Sequence, residues 1–219
     1  MQSEAIPRSV SSKRETLPTI LAPTELGGLL RAIDDYTGYM VTKFALQIAP
    51  HVFVRPGELR HAEWHELDLI AGVWKIPAGK MKARRAHAVP LSKQVVRYLT
   101  DLAEMLSHEG YVFPSARSSK RPMSENTLNA AFRRMGYSKE EVTAHGLRAT
   151  ASTFLNESGL WNPDAIERAL AHGDSNVVRG IYHRGKHWDE RVRMAQWWSD
   201  YLDELRTGGK VIMGKFAKG

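Results

Sequence analysis

The chain has 219 residues, of which 42% are hydrophobic and 25% charged, the ordinary range for a globular domain with one sizeable core or at most two small ones. It contains no cysteine, which excludes disulfides, thiolate metal sites and a cysteine nucleophile and suits a reducing cytoplasm. No apolar run reaches the length of a membrane span, and the polar N-terminus lacks the apolar stretch of an export signal.

In chain order, residues 1–20 hold Ser, Pro, Arg and Lys without periodicity and read as a linker or arm. From Thr24 the pattern turns helical, with Leu26, Leu29, Leu30 and Ile33 on one face. A second apolar helix covers about Tyr39 to Ala49 and is closed by Pro50. Pro56 is a good first residue for a third, which carries Leu59, Ala62 and Trp64.

The period then changes. Leu67–Ile70, Val73–Ile76 and His87–Leu91 are short strand-like segments, parted by Ala71-Gly72 and by a basic loop, and predict a three-stranded antiparallel sheet. Ser92 can cap a helix running to about Ser107, with Val95, Leu99, Leu102 and Leu106 inward, whereas Tyr111–Phe113 is too short to assign. Ser124 opens a helix through Met135, Thr143 one that ends before Gly159, and Asn162-Pro163 a short one through Ala171. A last long helix, about Trp188 to Leu205, puts Val192, Ala195, Trp198, Tyr201 and Leu202 on one face. The Gly- and Lys-rich residues 206–219 read as a flexible tail. The fold class is therefore α+β, mainly α, one helical domain with a small sheet.

The net charge is +7, and its distribution says more than its size. From Leu69 to Thr100 there is no acidic residue, against Lys75, Lys80, Lys82, Arg84, Arg85, Lys93 and Arg97. Solvated surfaces mix both signs, so a one-sign segment of this length is better explained by a phosphate backbone.

His145-Gly146-Leu147-Arg148 carries the sharpest chemistry. On a helix the i, i+3 spacing puts His145 and Arg148 on one face, so that both can reach one phosphate. Arg offers a planar fork that stays charged at any working pH, and a neutral imidazole can take the proton of a nucleophile. Arg55 stands at the start of a helix, Lys82 in the basic connection between two strands, and Leu170-Ala171-His172 is followed ten residues later by Tyr182. His61 and His65, beside Glu63 and Glu66, lack the Glu directly after the first His that a zincin motif requires and read as a solvated helix face. The tryptophans at 64, 74, 188, 197 and 198 read as packing residues, and Tyr201 as core.

The order Arg, Lys, His-x-x-Arg, His, Tyr resembles the tyrosine recombinase or phage integrase family, especially the integrases of prophages and genomic islands. The resemblance spans about Thr24 to Asp203. It is closest in VRPGELRHAEWHELDL (Val54–Leu69), in WKIPAGKMKARRAHAVPLS (Trp74–Ser92) and, within Ser124–Gln196, in ENTLNAAFRRMGY, AHGLRATASTFLNESG and the run that starts YHRGKHWDERVRMAQ. Where the family usually reads Leu-Gly-His this chain has Leu-Ala-His, and the spacing from His to Tyr is one residue longer than the commonest.

The resemblance implies that Arg55 and Arg148 are the two catalytic arginines, Lys82 the β-hairpin lysine, His145 the histidine of His-x-x-Arg, His172 the later His or Trp, and Tyr182 the nucleophile. It makes residues 21–205 a catalytic domain of tyrosine recombinase type, while Lys75, Lys80, Arg84 and Arg85 in the acid-free stretch read as DNA backbone contacts and Glu58 and His87 as supports of Arg55 and Lys82. The implied reaction is cleavage and religation of double-stranded DNA through a 3′-phosphotyrosine, with no cofactor and no metal, to integrate or excise a mobile element. Implied with it are a tetrameric synapse on DNA, a directionality factor, no membrane partner, and a bacterial cytoplasmic, nucleoid-associated location. A type IB topoisomerase, a non-catalytic DNA-binding module and, more distantly, a metal-dependent nuclease are the rival readings. Integrases of this resemblance carry further N-terminal DNA-binding domains, so the chain reads as a fragment or a truncated member.

Overall fold

The computed structural model describes residues 18–106, 108–171 and 187–208. Helices α1 (Pro23–Asp34) and α2 (Met40–Ile48) come first, followed by the single-turn α3 (Pro56–Arg60). Strands β1 (Leu67–Asp68), β2 (Val73–Ile76) and β3 (His87–Pro90) pair antiparallel in the order β1-β2-β3, with Trp74 opposite Leu67 and Val89. Helix α4 (Lys93–Met105) leads to a two-stranded ribbon, β4 (Pro114–Ser115) and β5 (Ser118–Pro122). Helices α5 (Thr127–Arg134), α6 (Gly146–Ser158), α7 (Pro163–Ala169) and α8 (Trp188–Thr207) complete the described chain.

The apolar periodicities bury as their spacing requires. Leu26, Leu29, Leu30 and Ile33 are all buried, and α1 packs on α8 and α2. Helix α2 also packs against α4 and α5, and α7 against α6 and α8. One core joins these faces to the inner face of the sheet, through Trp74 and Ile76, and holds Trp198, Phe53, Phe113 and Phe132 fully buried. Ser92 caps α4 by accepting from the Val95 amide, and Asn162 caps α7 by accepting from the Asp164 amide.

Several expectations are corrected. The third helix stops at Arg60, because residues 61–64 turn away to pair with 110–112. Glu63 bridges Tyr111, the Val112 amide donates to the Ala62 carbonyl and the Trp64 amide to the Gly110 carbonyl. Trp64 therefore belongs to a separate 3-10 turn, Trp64–Glu66, although Leu59, Ala62 and Trp64 are all buried as predicted. His61 and His65 consequently share no helix face. Ile70 is not in a strand but fully exposed in the β1–β2 turn. The ribbon β4–β5 was not anticipated, since Ser118–Pro122 reads Ser-Ser-Lys-Arg-Pro and has no alternation.

The helices read from Ser124 and Thr143 begin three residues later, at Thr127 and Gly146, with Ser124 and Thr143 in the turns that lead in. The Thr143 hydroxyl accepts from the Gly146 amide at 3.0 Å. In α8 Val192 is 41% exposed, and Met194 and Leu205 take the core face with Ala195, Trp198, Tyr201 and Leu202.

The entering chain is seated on α6. The Ile20 amide donates to the buried Thr150 hydroxyl at 3.0 Å, and Ile20 itself is buried. Gly146 lies beneath the Pro18 carbonyl, where any Cβ would overlap it. Residues 18–20 are thus held against the helix that carries Arg148.

Candidate active site

A cleft of about 700 Å³ lies between α3, the β2–β3 connection, α5 and the start of α6, with Arg55, Lys82, Arg84 and His145 among its lining residues. Three of the predicted site residues, Arg55, Lys82 and His145, therefore meet at one place although they come from three distant stretches of sequence. Glu125 and Asn129 also line it, and no catalytic motif marks either of them in the sequence. Asn129 is held by accepting from the Ala144 amide at 2.9 Å, which ties α5 to the residue before His145.

Arg55 is the N-cap of α3, and Glu58 fixes it twice. One carboxylate oxygen accepts from the Arg55 amide at 2.8 Å and the other from its guanidinium at 2.9 Å. Glu58 is itself 5% exposed, so this bond is dry enough to hold the arginine's orientation. The supporting part read for Glu58 matches this geometry.

His145 sits at the N-cap of α6 rather than inside the helix, exposed, while Arg148 is 6% exposed. Arg148 is not among the residues lining the cleft. Its guanidinium donates to the Phe53 carbonyl at 2.5 Å and to the Leu170 carbonyl, so it ties together the strand of chain entering Arg55 and the end of α7. Burial, and then the positive charge of Arg55, bring its pKa down to about 10, which leaves it charged at neutral pH. The His145 imidazole is shifted below its ordinary value, first by partial desolvation of the ring at the cleft wall and then by Arg148 and Arg55, which favours its neutral form.

His87, at the start of β3, is half-buried. Its pKa falls to about 4, through burial and then the charge of Arg191, with smaller parts from Arg148 and Arg55. Arg191, which the sequence reading did not single out, donates to the Ala88 carbonyl at 2.5 Å and lies over the Trp188 ring, fastening α8 to β3. Its only sequence signal is an arginine one turn into an otherwise amphipathic helix.

Among the read backbone contacts, Lys75, Arg84 and Arg85 are exposed. Lys80 differs, for its ammonium is committed to Glu63 and Glu66. Tyr201 is 8% exposed, stacks on Trp197 at 5.5 Å, and has its pKa pushed up to about 12 by burial. That is the reverse of what a nucleophile needs. His172 and Tyr182 lie outside the described residues. Among the described residues no group of three or more His, Cys, Asp or Glu side chains could hold a metal ion, and no helix is long and apolar enough to cross a membrane.

Comparison with known proteins decides the lineage. Residues 19–187 match the model of the phage integrase family. The chain belongs to the phage integrase family. It is 43% identical over 192 residues to the integrase of Enterobacteria phage P4, an alignment covering 81% of this chain and 44% of that protein. It is 37% identical over 200 residues to the prophage integrase IntA of Escherichia coli (strain K12), covering 91% of this chain and 48% of that one. The chain thus spans about half the length of the curated relatives it matches. The integrase from mycobacterium phage Brujita shares the fold at a TM-score of 0.62 and 18% identity, covering 92% of this chain and 65% of that chain. XerA recombinase shares it at a TM-score of 0.55 and 19% identity, over 87% of this chain and 64% of that one. The fold is that of a tyrosine-type site-specific recombinase.

Proposed function

We propose that this chain is the catalytic domain of a DNA integrase that cleaves and rejoins double-stranded DNA through a 3′-phosphotyrosine on Tyr182, to integrate or excise a mobile element. The observation that carries the reading is the meeting of Arg55, Lys82 and His145 in one cleft, with Arg148 buried behind it and bonded to the Phe53 carbonyl two residues before Arg55.

The chemistry follows from the groups present. A tyrosine in water has a pKa near ~10 and is almost wholly protonated at neutral pH. A neutral His145 can accept the phenol proton as the Tyr182 oxygen attacks phosphorus. Arg55, oriented by Glu58, stabilises charge growing on the nonbridging oxygens, a donor worth roughly 3 kcal/mol, and Arg148, buried behind the cleft, adds its positive charge to the same site. His172 adds a hydrogen bond there. As the bond from phosphorus to the 5′ oxygen breaks, Lys82 gives that oxygen a proton, leaving a free 5′ hydroxyl and an aryl phosphodiester. A second 5′ hydroxyl then attacks the phosphotyrosine, and the protons return by the same groups, so that no high-energy cofactor is consumed.

Lys75, Arg84 and Arg85 supply backbone contacts to the duplex. Recombination takes a synapse of four such chains on two DNA sites, with a directionality factor setting the balance of integration and excision. The relatives named above, an integrase of a phage and one of a prophage, support the mobile-element role.

The experiment is trapping on a nicked suicide DNA, in which the short fragment bearing the free 5′ hydroxyl diffuses away after cleavage. A covalent protein–DNA band that forms in EDTA as well as in its absence supports the reading. A chain that binds DNA but forms no such band is a binding module, and cleavage abolished by EDTA belongs to a nuclease.

A further inference from the structure

We propose that Lys80 is a positioning residue for Lys82, a pin that fixes the β2–β3 connection so that Lys82 projects into the cleft. The geometry surrounds the Lys80 ammonium with three oxygen partners from one short segment. The ammonium donates to the Glu63 carboxylate at 2.6 Å and to the His61 carbonyl at 2.8 Å, and it pairs with the Glu66 carboxylate at 2.5 Å. Glu66 is 4% exposed and is itself held from the sheet, where the Trp74 indole donates to it at 3.0 Å. The pin therefore runs from the sheet, through Glu66 in the 3-10 turn that precedes β1, to Lys80 in the β2–β3 connection.

The next residue strengthens it. Met81 is 4% exposed, a peg in the core, whereas residues 82–86 are all exposed. Consecutive Cα atoms lie about 3.8 Å apart, so fixing Lys80 and Met81 fixes the point from which Lys82 reaches. A general acid has to come within about 3 Å of the oxygen it protonates, which a freely moving loop does not ensure. Two carboxylates also cancel the Lys80 charge, which removes it from the set of backbone contacts read from the acid-free stretch. Its proton is held firmly: burial alone lowers the Lys80 pKa, but the bonds to Glu63 and Glu66 outweigh that and raise it.

This inference rests on Lys82 being the general acid, and the test separates the two. Single-turnover cleavage is measured on nicked DNA with an ordinary 5′ oxygen and with a 5′-bridging sulfur, which leaves as a thiolate and needs no proton. Lys80→Met is expected to cleave the oxygen substrate roughly tenfold or more slowly and to recover nearly the wild-type rate on sulfur, as Lys82→Ala does from a larger defect. The salt dependence of DNA affinity should be unchanged. Glu63→Gln, which weakens the pin from the other side and leaves Lys80 in place, should show a smaller defect that sulfur also removes. Lys80→Arg, which can still bridge both carboxylates, should restore most of the rate.

The pin is overturned if Lys80→Met and Glu63→Gln cleave both substrates at the wild-type rate, or both equally slowly. A salt slope smaller by ~0.9 in Lys80→Met also overturns it, by making Lys80 a phosphate contact. If Lys82→Ala is not rescued by sulfur while the wild type cleaves, the reading of Lys82 fails, and the pin with it. A wild type that forms no adduct on either DNA overturns the whole reading of the site.

Discussion

Arg148 donates to the Leu170 carbonyl at the end of α7, so the His-x-x-Arg helix grips the last described turn before the stretch that contains His172 and Tyr182. The same guanidinium holds the Phe53 carbonyl two residues before Arg55. One side chain thus orders the approach to both ends of the predicted catalytic set.

Arg148→Lys is accordingly not conservative. An ammonium cannot reproduce the fork, and a buried carbonyl loses its donor, at about 1–3 kcal/mol. Thermal unfolding should register that loss, and adduct formation should fall by roughly a hundredfold or more. A Lys variant as stable and as active as wild type contradicts both assignments.

Ala171 adopts a left-handed backbone, φ 47°, where the family usually has glycine. A Cβ in that region costs on the order of 1 kcal/mol, offset in part by the greater freedom glycine gives the unfolded chain. Ala171→Gly should therefore raise stability by a few tenths of a kcal/mol up to about 1, measured by denaturant unfolding. A loss of stability of that size would mean that the alanine is not strained.

His51 gives the fold a built-in acid sensitivity. It is 2% exposed, shares a hydrogen bond of 2.9 Å with Ser199, and packs near Tyr98, Arg97 and Arg206. Burial first, then the charges of Arg206 and Arg97, lower its pKa to about 3. The unfolded chain takes up a proton at this residue near pH 6.5 and the folded chain only near 3, so stability is full above 6.5 and falls as pH drops between them. The slope from this group is at most about 1.4 kcal/mol per pH unit. Replacement by Gln should flatten the pH dependence of the melting temperature between 6.5 and 4. An unchanged slope would assign the acid lability to other groups.

Much of this was legible in the sequence because it is local. The periodicity of α1, α4 and α8, the caps at Ser92 and Asn162, and the three-strand order depend on neighbours within a turn or a hairpin. The family order of Arg55, Lys82 and His145 also led to one cleft. What was not legible depends on distant partners. The early end of α3 comes from pairing with residues 110–112, and the burial of Arg148 from two carbonyls 95 and 22 residues away. Lys80 and Lys82 look alike in a basic loop until Glu63 and Glu66 are brought up to one and not the other. Composition likewise cannot show that Ile20, in an arm-like stretch, docks on Thr150.

The central claim is that Tyr182 is the nucleophile of a DNA strand transferase. The most direct measurement is proteolysis of the adduct trapped on nicked suicide DNA, followed by mass mapping of the peptide that carries the nucleotide, with Tyr182→Phe run in parallel. The account predicts a phosphotyrosyl linkage on Tyr182 and no adduct from the Phe variant, whose fold and DNA affinity stay near wild type. A linkage on any other residue, or an adduct from Tyr182→Phe at the wild-type rate, would contradict it.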